Sequence, residues 1–437
     1  MTRTTKTRKH GAAADVKVDP VDNTGVTELP KPVFAQPHPT PDPAKFEVKH
    51  PSDNPTYKKI DELNKEHKIA PLPFPPPRGL PEPKLTLAAV LDTDANALTD
   101  KVKGFGQIVF HAVGDTGSTR GPESQNRVSD KMVNDFTDDE SEHPLFFFHL
   151  GDVVYSFGEA QYYYDQFYEP YRDYPGPIMA LAGNHDGMVA PGTSAKTLMA
   201  FLENFCAEKF EVTSEAGGLA RTAQIQPGVF FTFEAPLVRI LALYSNTLED
   251  PGVIANDTIG NSQLTYLKAA LERVKSDKFN GALILAHHHP AYTAGGKHGW
   301  SQDMLSQIDA ICNETKVWPH AVLSAHAHNY QRFTRLHGDT QIPYVTCGNG
   351  GHGLTRLTRK NTPPLRTPQA LQIPSHADKV ILENYDDKDY GYLRIVVTAT
   401  QLRIEYHPAS DGEDAKTPDD FVTVDLKTRK LVHFTGT

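Results

Sequence analysis

The chain is 437 residues long, with 44 Lys and Arg against 54 Asp and Glu and a formal net charge of −10. That length allows one large core or two modest ones. The acidic balance speaks against a dedicated nucleic-acid binder, which carries a basic domain, and no stretch has the roughly 18–20 consecutive apolar residues of a membrane-spanning helix.

The N-terminus is basic at Arg3, Lys6, Arg8 and Lys9 but lacks the apolar centre of a secretory signal. It reads as a solvated arm, and cytoplasmic residence is the expectation. Sixteen of the 34 prolines precede Lys84. Runs such as Pro71-Leu72-Pro73-Phe74-Pro75-Pro76-Pro77 exclude regular helix and central strand. Residues 1–85 therefore read as a proline-rich, largely irregular extension, mobile or draped over the body. A short helical stripe at Tyr57, Ile60 and Leu63, within Tyr57 to His67, is the one exception.

From residue 86 to 437 the pattern changes to a single body. Ile108-Val109-Phe110 leads to Gly114-Asp115, and Leu145-Phe146-Phe147-Phe148 leads to Gly151-Asp152. Ile178-Met179-Ala180-Leu181 leads to Gly183-Asn184-His185. Ala282-Leu283-Ile284-Leu285 leads to His287-His288-His289, and Ala321-Val322-Leu323 leads to His326-Ala327-His328. Such runs read as buried strands. Residues 194–206, 262–275 and 301–315 read as helices, the middle one with Leu264, Leu267, Leu271 and Val274 on one face. A further helix is expected from Glu159 to Tyr171, its aromatics mostly packed in the core. The alternation predicts an α/β body of layered sheets.

Each of the five strands ends in a residue able to bind metal. Open α/β sheets place their ligands beyond the carboxyl ends of strands, so the five ends can converge. Carboxylate, amide and imidazole donors suit Mn, Fe or Zn. Taken singly, a Gly-Asp after a strand is a turn, Asn184 a cap, and the histidines ordinary core or surface residues. The conjunction of five is what points to a metal centre. Cys206, Cys312 and Cys347 lie far apart and offer neither a disulfide framework nor a thiolate clip.

Gly114-Asp115-Thr116-Gly117, Gly151-Asp152-Val153-Val154-Tyr155, Gly183-Asn184-His185-Asp186, His288-His289-Pro290 and Ala325-His326-Ala327-His328-Asn329-Tyr330-Gln331-Arg332 resemble, in order, the five signature blocks of the calcineurin-like metallophosphoesterases. Tyr155 and the ending of the last block resemble the purple acid phosphatase branch. Ala325 stands where that block usually opens with Gly. The resemblance spans roughly residues 105–352 and implies a four-layer α/β/β/α sandwich carrying a two-metal site.

Carried over residue by residue, Asp152 bridges the two ions. Asp115, Tyr155 and His328 complete the first site, and Asn184, His288 and His326 the second. The resemblance implies Fe(III) paired with Fe(II), Zn(II) or Mn(II), since a phenolate favours a trivalent ion. It also implies hydrolysis of small phosphate monoesters by in-line attack of a metal-bound hydroxide. His185 is then the group that stabilises the transition state or protonates the leaving oxygen, Asp186 its orienting partner, and His298 a second substrate-side histidine. Arg332 supports the site, and His352 reads as a turn residue or as part of the site's mouth. A phosphodiesterase acting on nucleotides or phospholipid headgroups, and a non-catalytic metal- or phosphate-binding scaffold, are the alternatives. No specific nucleic-acid partner is expected, and the oligomeric state stays open.

Overall fold

The computed structural model describes residues 62–63, 70–137, 139–189, 194–359, 361–373, 376–410 and 417–434. The helix expected over Tyr57 to His67 lies outside the described residues, save Glu62 and Leu63, and so does the basic arm.

Sixteen strands occur among the described residues: β1 Lys84–Thr86, β2 Gln107–Val113, β3 Pro144–His149, β4 Ile178–Ala180, β5 Phe231–Ala235, β6 Val238–Leu243, β7 Ala282–His287, β8 Ala321–Ser324, β9 Tyr330–His337, β10 Thr340–Cys347, β11 Gln369–Leu371, β12 Lys379–Asp386, β13 Gly391–Thr398, β14 Gln401–Pro408, β15 Asp420–Asp425 and β16 Lys430–Leu431. They form two sheets, ordered β1-β5-β6-β7-β8-β10-β9-β12-β11 and β16-β15-β14-β13-β2-β3-β4. Strands β2, β3 and β4 run parallel in the second sheet, as do β6, β7 and β8 in the first. The five apolar runs read from the sequence are β2, β3, β4, β7 and β8. Their near-continuous hydrophobicity follows from cover on both faces; all six residues of β7 are buried.

The sheets pack face to face through aromatic rings. Phe233 of β5 lies 4.9 Å from Phe146 and 6.0 Å from Phe148, both on β3. Outside them, the helix Ser262–Ser276 packs on β6 and on the helix Gln302–Thr315, while Ala95–Phe105 packs on β2 and Glu123–Asn134 on β13. The result is the expected four-layer α/β/β/α sandwich. In Ser262–Ser276 the buried face is Gln263, Tyr266, Leu267, Ala270, Leu271 and Val274. Leu264 is only half-buried. No helix among the described residues is long and apolar enough to cross a membrane.

Glu159 to Tyr171 is not a continuous α-helix. A 3₁₀ turn, Ala160–Tyr162, leads into a π-helical turn, Tyr164–Tyr168. Tyr162, Tyr163, Phe167, Tyr168 and Tyr171 are all buried. The buried pairs Tyr162-Tyr163 and Phe167-Tyr168 recur five residues apart, with Tyr164, Asp165 and Glu169 only half-buried between and after them, a spacing that suits the wider π turn better than the α period.

The described end of the proline-rich stretch is tied to the body. Leu72 exchanges two hydrogen bonds with the Asn246 side chain, both 2.9 Å. The Arg78 guanidinium donates to the carbonyls of Cys206, Ala207, Ile225 and Gln226.

Phe233→Ala removes the ring that joins the sheets and is expected to cost about 3–5 kcal/mol, read as a lower denaturant midpoint with an unchanged slope. A second expectation concerns acid. The His320 Nδ1 accepts the Leu283 N–H at 2.9 Å, and burial together with Arg429 lowers the pKa of this imidazole from 6.5 to about 3. A depressed folded-state pKa gives stability that is present above 6.5 and lost as pH falls towards 3. Between about pH 7.5 and about pH 5.5, His320 should account for about 1 kcal/mol of lost stability, and His320→Asn should be less acid-sensitive by that amount.

Candidate metal centre

Five parallel strands deliver the residues expected at the site. β2 runs into Asp115, β3 into Asp152 and Tyr155, β4 into Asn184, β7 into His288, and β8 into His326 and His328. The first three strands belong to one sheet and the last two to the other, so the site lies where both sets of carboxyl ends meet. Asp115, Asp152, Asn184 and His288 have no solvent exposure, and Tyr155, His326 and His328 are buried as well.

The Tyr155 hydroxyl is the geometric hub. It lies 2.8 Å from Asp115 Oδ1, 3.0 Å from Asp152 Oδ2 and 3.2 Å from His328 Nε2. Its backbone is fixed by Gln166, whose amide exchanges two hydrogen bonds with it. His328 Nε2 is 3.3 Å from Asp115 Oδ1, and His288 Nε2 is 3.2 Å from Asp152 Oδ2. Donor atoms of Asp152, His288 and His326 lie within 4.8 Å of one another. Asn184 joins through its neighbour, since the His185 backbone N–H donates to Asp152 Oδ1 at 2.8 Å.

The three consecutive histidines divide their work. His288 turns its Nε2 to the carboxylates and its Nδ1 to the Leu150 carbonyl at 2.8 Å. His287 is bonded to the His289 carbonyl, and His289 to Ser245 Oγ and the Leu248 carbonyl. These two are flanking residues.

The donor set fits cations. Both side-chain heteroatoms of Asn184 and both ring nitrogens of His326 are buried without a hydrogen-bond partner. Burying such groups unsatisfied is costly, and their concentration beside two carboxylates is what a metal would relieve. The backbone is strained here too. Asp115, Asp152, His326 and His328 have φ of +55°, +55°, +67° and +46°, left-handed values that side chains rarely adopt.

Electrostatics points the same way. Burial alone would lower the His288 pKa, but Asp152 and Asp115 lift it to about 9. Burial would raise Asp152, yet His288 and His185 hold it well below the usual carboxylate range. Burial, then Asp115 and Asp152, pushes the Tyr155 phenol well above 10. Burial and neighbouring histidines push His326 and His298 well below 6.5, which keeps their lone pairs available.

His185 lies against the site, its ring 4.3 Å from that of Tyr155 and its Nδ1 2.8 Å from the Ser156 carbonyl. The expected pairing with Asp186 does not occur. Asp186 accepts instead from the backbone N–H groups of Gly183, Val153 and Val154. It braces the turns after β3 and β4, and burial plus Asp152 raises its pKa to about 7. His298 is at the site, with its ring 4.6 Å from His326 and 4.7 Å from His328 and both nitrogens without a hydrogen-bond partner. Arg332 is held in a two-point pair by Asp420, a supporting role.

Sequence reasoning missed two residues, Glu249 and Asp250, and left His352 open between a turn and the site's mouth. Glu249 is buried, 3.6 Å from His298 Nδ1, 3.9 Å from His185 Nε2 and 3.5 Å from Lys297 Nζ. Asp250 Oδ1 lies 3.6 Å from His326 Nε2. Both follow β6, an apolar run beside β7 whose carboxyl end also faces the site; that adjacency is the signal that could have found them. His352 stacks on Tyr155 at 3.5 Å between ring centroids.

The family model for calcineurin-like phosphoesterases matches residues 108–330. "Probable inactive purple acid phosphatase 9" of Arabidopsis thaliana is 22% identical over 292 residues. That match covers 62% of this chain and 42% of the relative, so the chain spans less than half of that relative's length. Among solved structures, purple acid phosphatase PPD1 from yellow lupin is similar at 19% identity and a TM-score of 0.48, covering 73% of this chain and 54% of that one. PhoD is similar at 14% identity and a TM-score of 0.45, covering 74% and 71%.

Proposed function

Because the chain belongs to the calcineurin-like phosphoesterase family, we propose that it hydrolyses phosphate monoesters of small molecules, using two cations. Asp152 would bridge the ions, with Asp115, Tyr155 and His328 on one and Asn184, His288 and His326 on the other. A phenolate ligand favours Fe(III) at the first position, beside Fe(II), Zn(II) or Mn(II) at the second. The observation that carries this reading is the set of buried, unpartnered amide and imidazole atoms around two buried carboxylates. Bound cations supply positive charge for the phosphoryl oxygens and make an activated water available as the nucleophile.

The protein's own groups then have distinct tasks. The Ser156 carbonyl can only accept, so the His185 Nδ1 carries a hydrogen. The opposite nitrogen, Nε2, holds a transferable proton when the ring is imidazolium, and from there it protonates the leaving oxygen. Glu249 Oε2 lies 3.9 Å from that nitrogen, on the side where the ring faces the substrate space. His298 offers a second imidazole on the same side for orienting the ester. Loss of the proton to the leaving alcohol returns His185 to its neutral tautomer.

A non-catalytic, metal-holding scaffold is the second reading, favoured by the word "inactive" in the Arabidopsis relative's name. Turnover separates the two. Purified protein should contain two equivalents of metal and hydrolyse an aryl phosphate monoester; metal-loaded protein without turnover on monoesters or diesters sinks the enzymatic reading. Asp152→Ala should lose paired metal and all measurable activity. His185→Ala should keep both ions, by elemental analysis, and lose about 10²–10⁴-fold in kcat, the usual weight of a general acid.

A further inference from the structure

His326 stands between two carboxylates. On one side, its donor atom groups with Asp152 and His288; on the other, its Nε2 faces Asp250 Oδ1 at 3.6 Å. The ring is 1% exposed and neither nitrogen is hydrogen-bonded. Its backbone is already fixed, because the His326 N–H donates to Asp115 Oδ2 at 2.6 Å. The ring's rotation about its side-chain bonds is what remains to be set.

An imidazole that ligates through one nitrogen carries a hydrogen on the other, and that N–H needs an acceptor. A carboxylate in that position selects the tautomer, fixes the ring plane and makes the ligating nitrogen a better donor. Asp250 is placed for this. Its Oδ1 also accepts the Gly299 N–H at 2.8 Å, which locates the carboxylate independently of His326. The side chain retains 20% exposure, so water reaches the rest of the carboxylate.

Resting on the two-cation reading above, we propose that Asp250 is a positioning residue for His326. It accepts the Nε2 hydrogen and thereby turns the Nδ1 lone pair toward the cation on the Asp152, Asn184 and His288 side. A slight rotation of the ring closes the 3.6 Å separation to hydrogen-bond length. The Asp250–Gly299 bond carries a further consequence: the same carboxylate ties the glycine-rich loop that bears His298 to the ligand shell of the second ion.

The competing chemistry is direct ligation. Donor atoms of Asp250, His298 and His326 also lie within 4.8 Å of one another, which would suit a separate cation. Metal titration decides. The full-length protein, stripped and then titrated with Zn²⁺ in a competing chelator, should bind two ions. Asp250→Ala should weaken one of them by about 10–100-fold and leave the other unchanged, the range typical of removing a partner of a ligating histidine. Asp250→Asn keeps an oxygen acceptor without the charge and should recover part of that loss. Circular dichroism and the denaturant midpoint serve as folding controls for both variants. Equal Zn²⁺ affinities in wild type and Asp250→Ala overturn the proposal while leaving the two-cation reading intact. Three ions in wild type and two in Asp250→Ala also overturn it, in favour of Asp250 as a ligand. A wild-type chain that takes up no ion removes both readings together.

Discussion

Two carboxylates without solvent exposure, Asp115 and Asp152, meet at one phenol, and the rest of the site answers to their charge. Carboxylates so close and so dry call for positive groups beside them. His288 is one such group: burial would lower its pKa, but Asp152 and Asp115 lift it to about 9. His326 and His298 behave oppositely. With neighbouring imidazoles and burial lowering their pKa values, they remain neutral donors.

Bringing these groups together requires close approach of loops from both sheets. A Cβ at Gly183 would lie 2.1 Å from Asp152 Oδ1, and one at Gly348 would lie 2.4 Å from Asp115 Oδ2. Only a residue without a side chain lets those turns reach the carboxylates. The left-handed backbone at Asp115, Asp152, His326 and His328 adds local strain. The aromatic core between the sheets supplies the rigidity that holds such conformations in place, with Phe146, Phe148, Phe231 and Phe233 interlocked a short way below the strand ends.

Much of this was legible in the sequence because period and position carry it. Buried parallel strands read as unbroken apolar runs, and the residues just past their ends were identifiable from β2, β3, β4, β7 and β8. What periodicity does not encode is which atom a side chain reaches. Asp186 sits next to His185 in the chain, yet its carboxylate serves backbone N–H groups after β3 and β4. Glu249 and Asp250 lie six and seven positions beyond the end of β6, farther out than every carboxylate, amide or imidazole ligand read from the other strands. His352 comes from an irregular glycine-rich turn, where the sequence left turn and site mouth open; its stacking on Tyr155 places it at the site. The aromatic run after Glu159 misled for a different reason. The buried rings there recur at a spacing of five, which the α period of 3.6 does not match.

The loop after β6 also gives the proline-rich stretch a structural task. That loop carries Glu249 and Asp250, and it is gripped from outside by Leu72 through the Asn246 side chain. Asn246 itself sits at φ +66°, with its Oδ1 also accepting the Thr247 N–H. Phe74 reinforces the grip, packing edge-on against Tyr244 at the start of the same loop and against Phe230. Proline suits such a strap. Its fixed φ leaves less backbone freedom to lose on docking, and its missing N–H leaves no donor to satisfy along an edge without a partner strand. A segment that reads as irregular is thereby able to hold, at little entropic cost, the loop that carries two carboxylates toward the histidines of the centre.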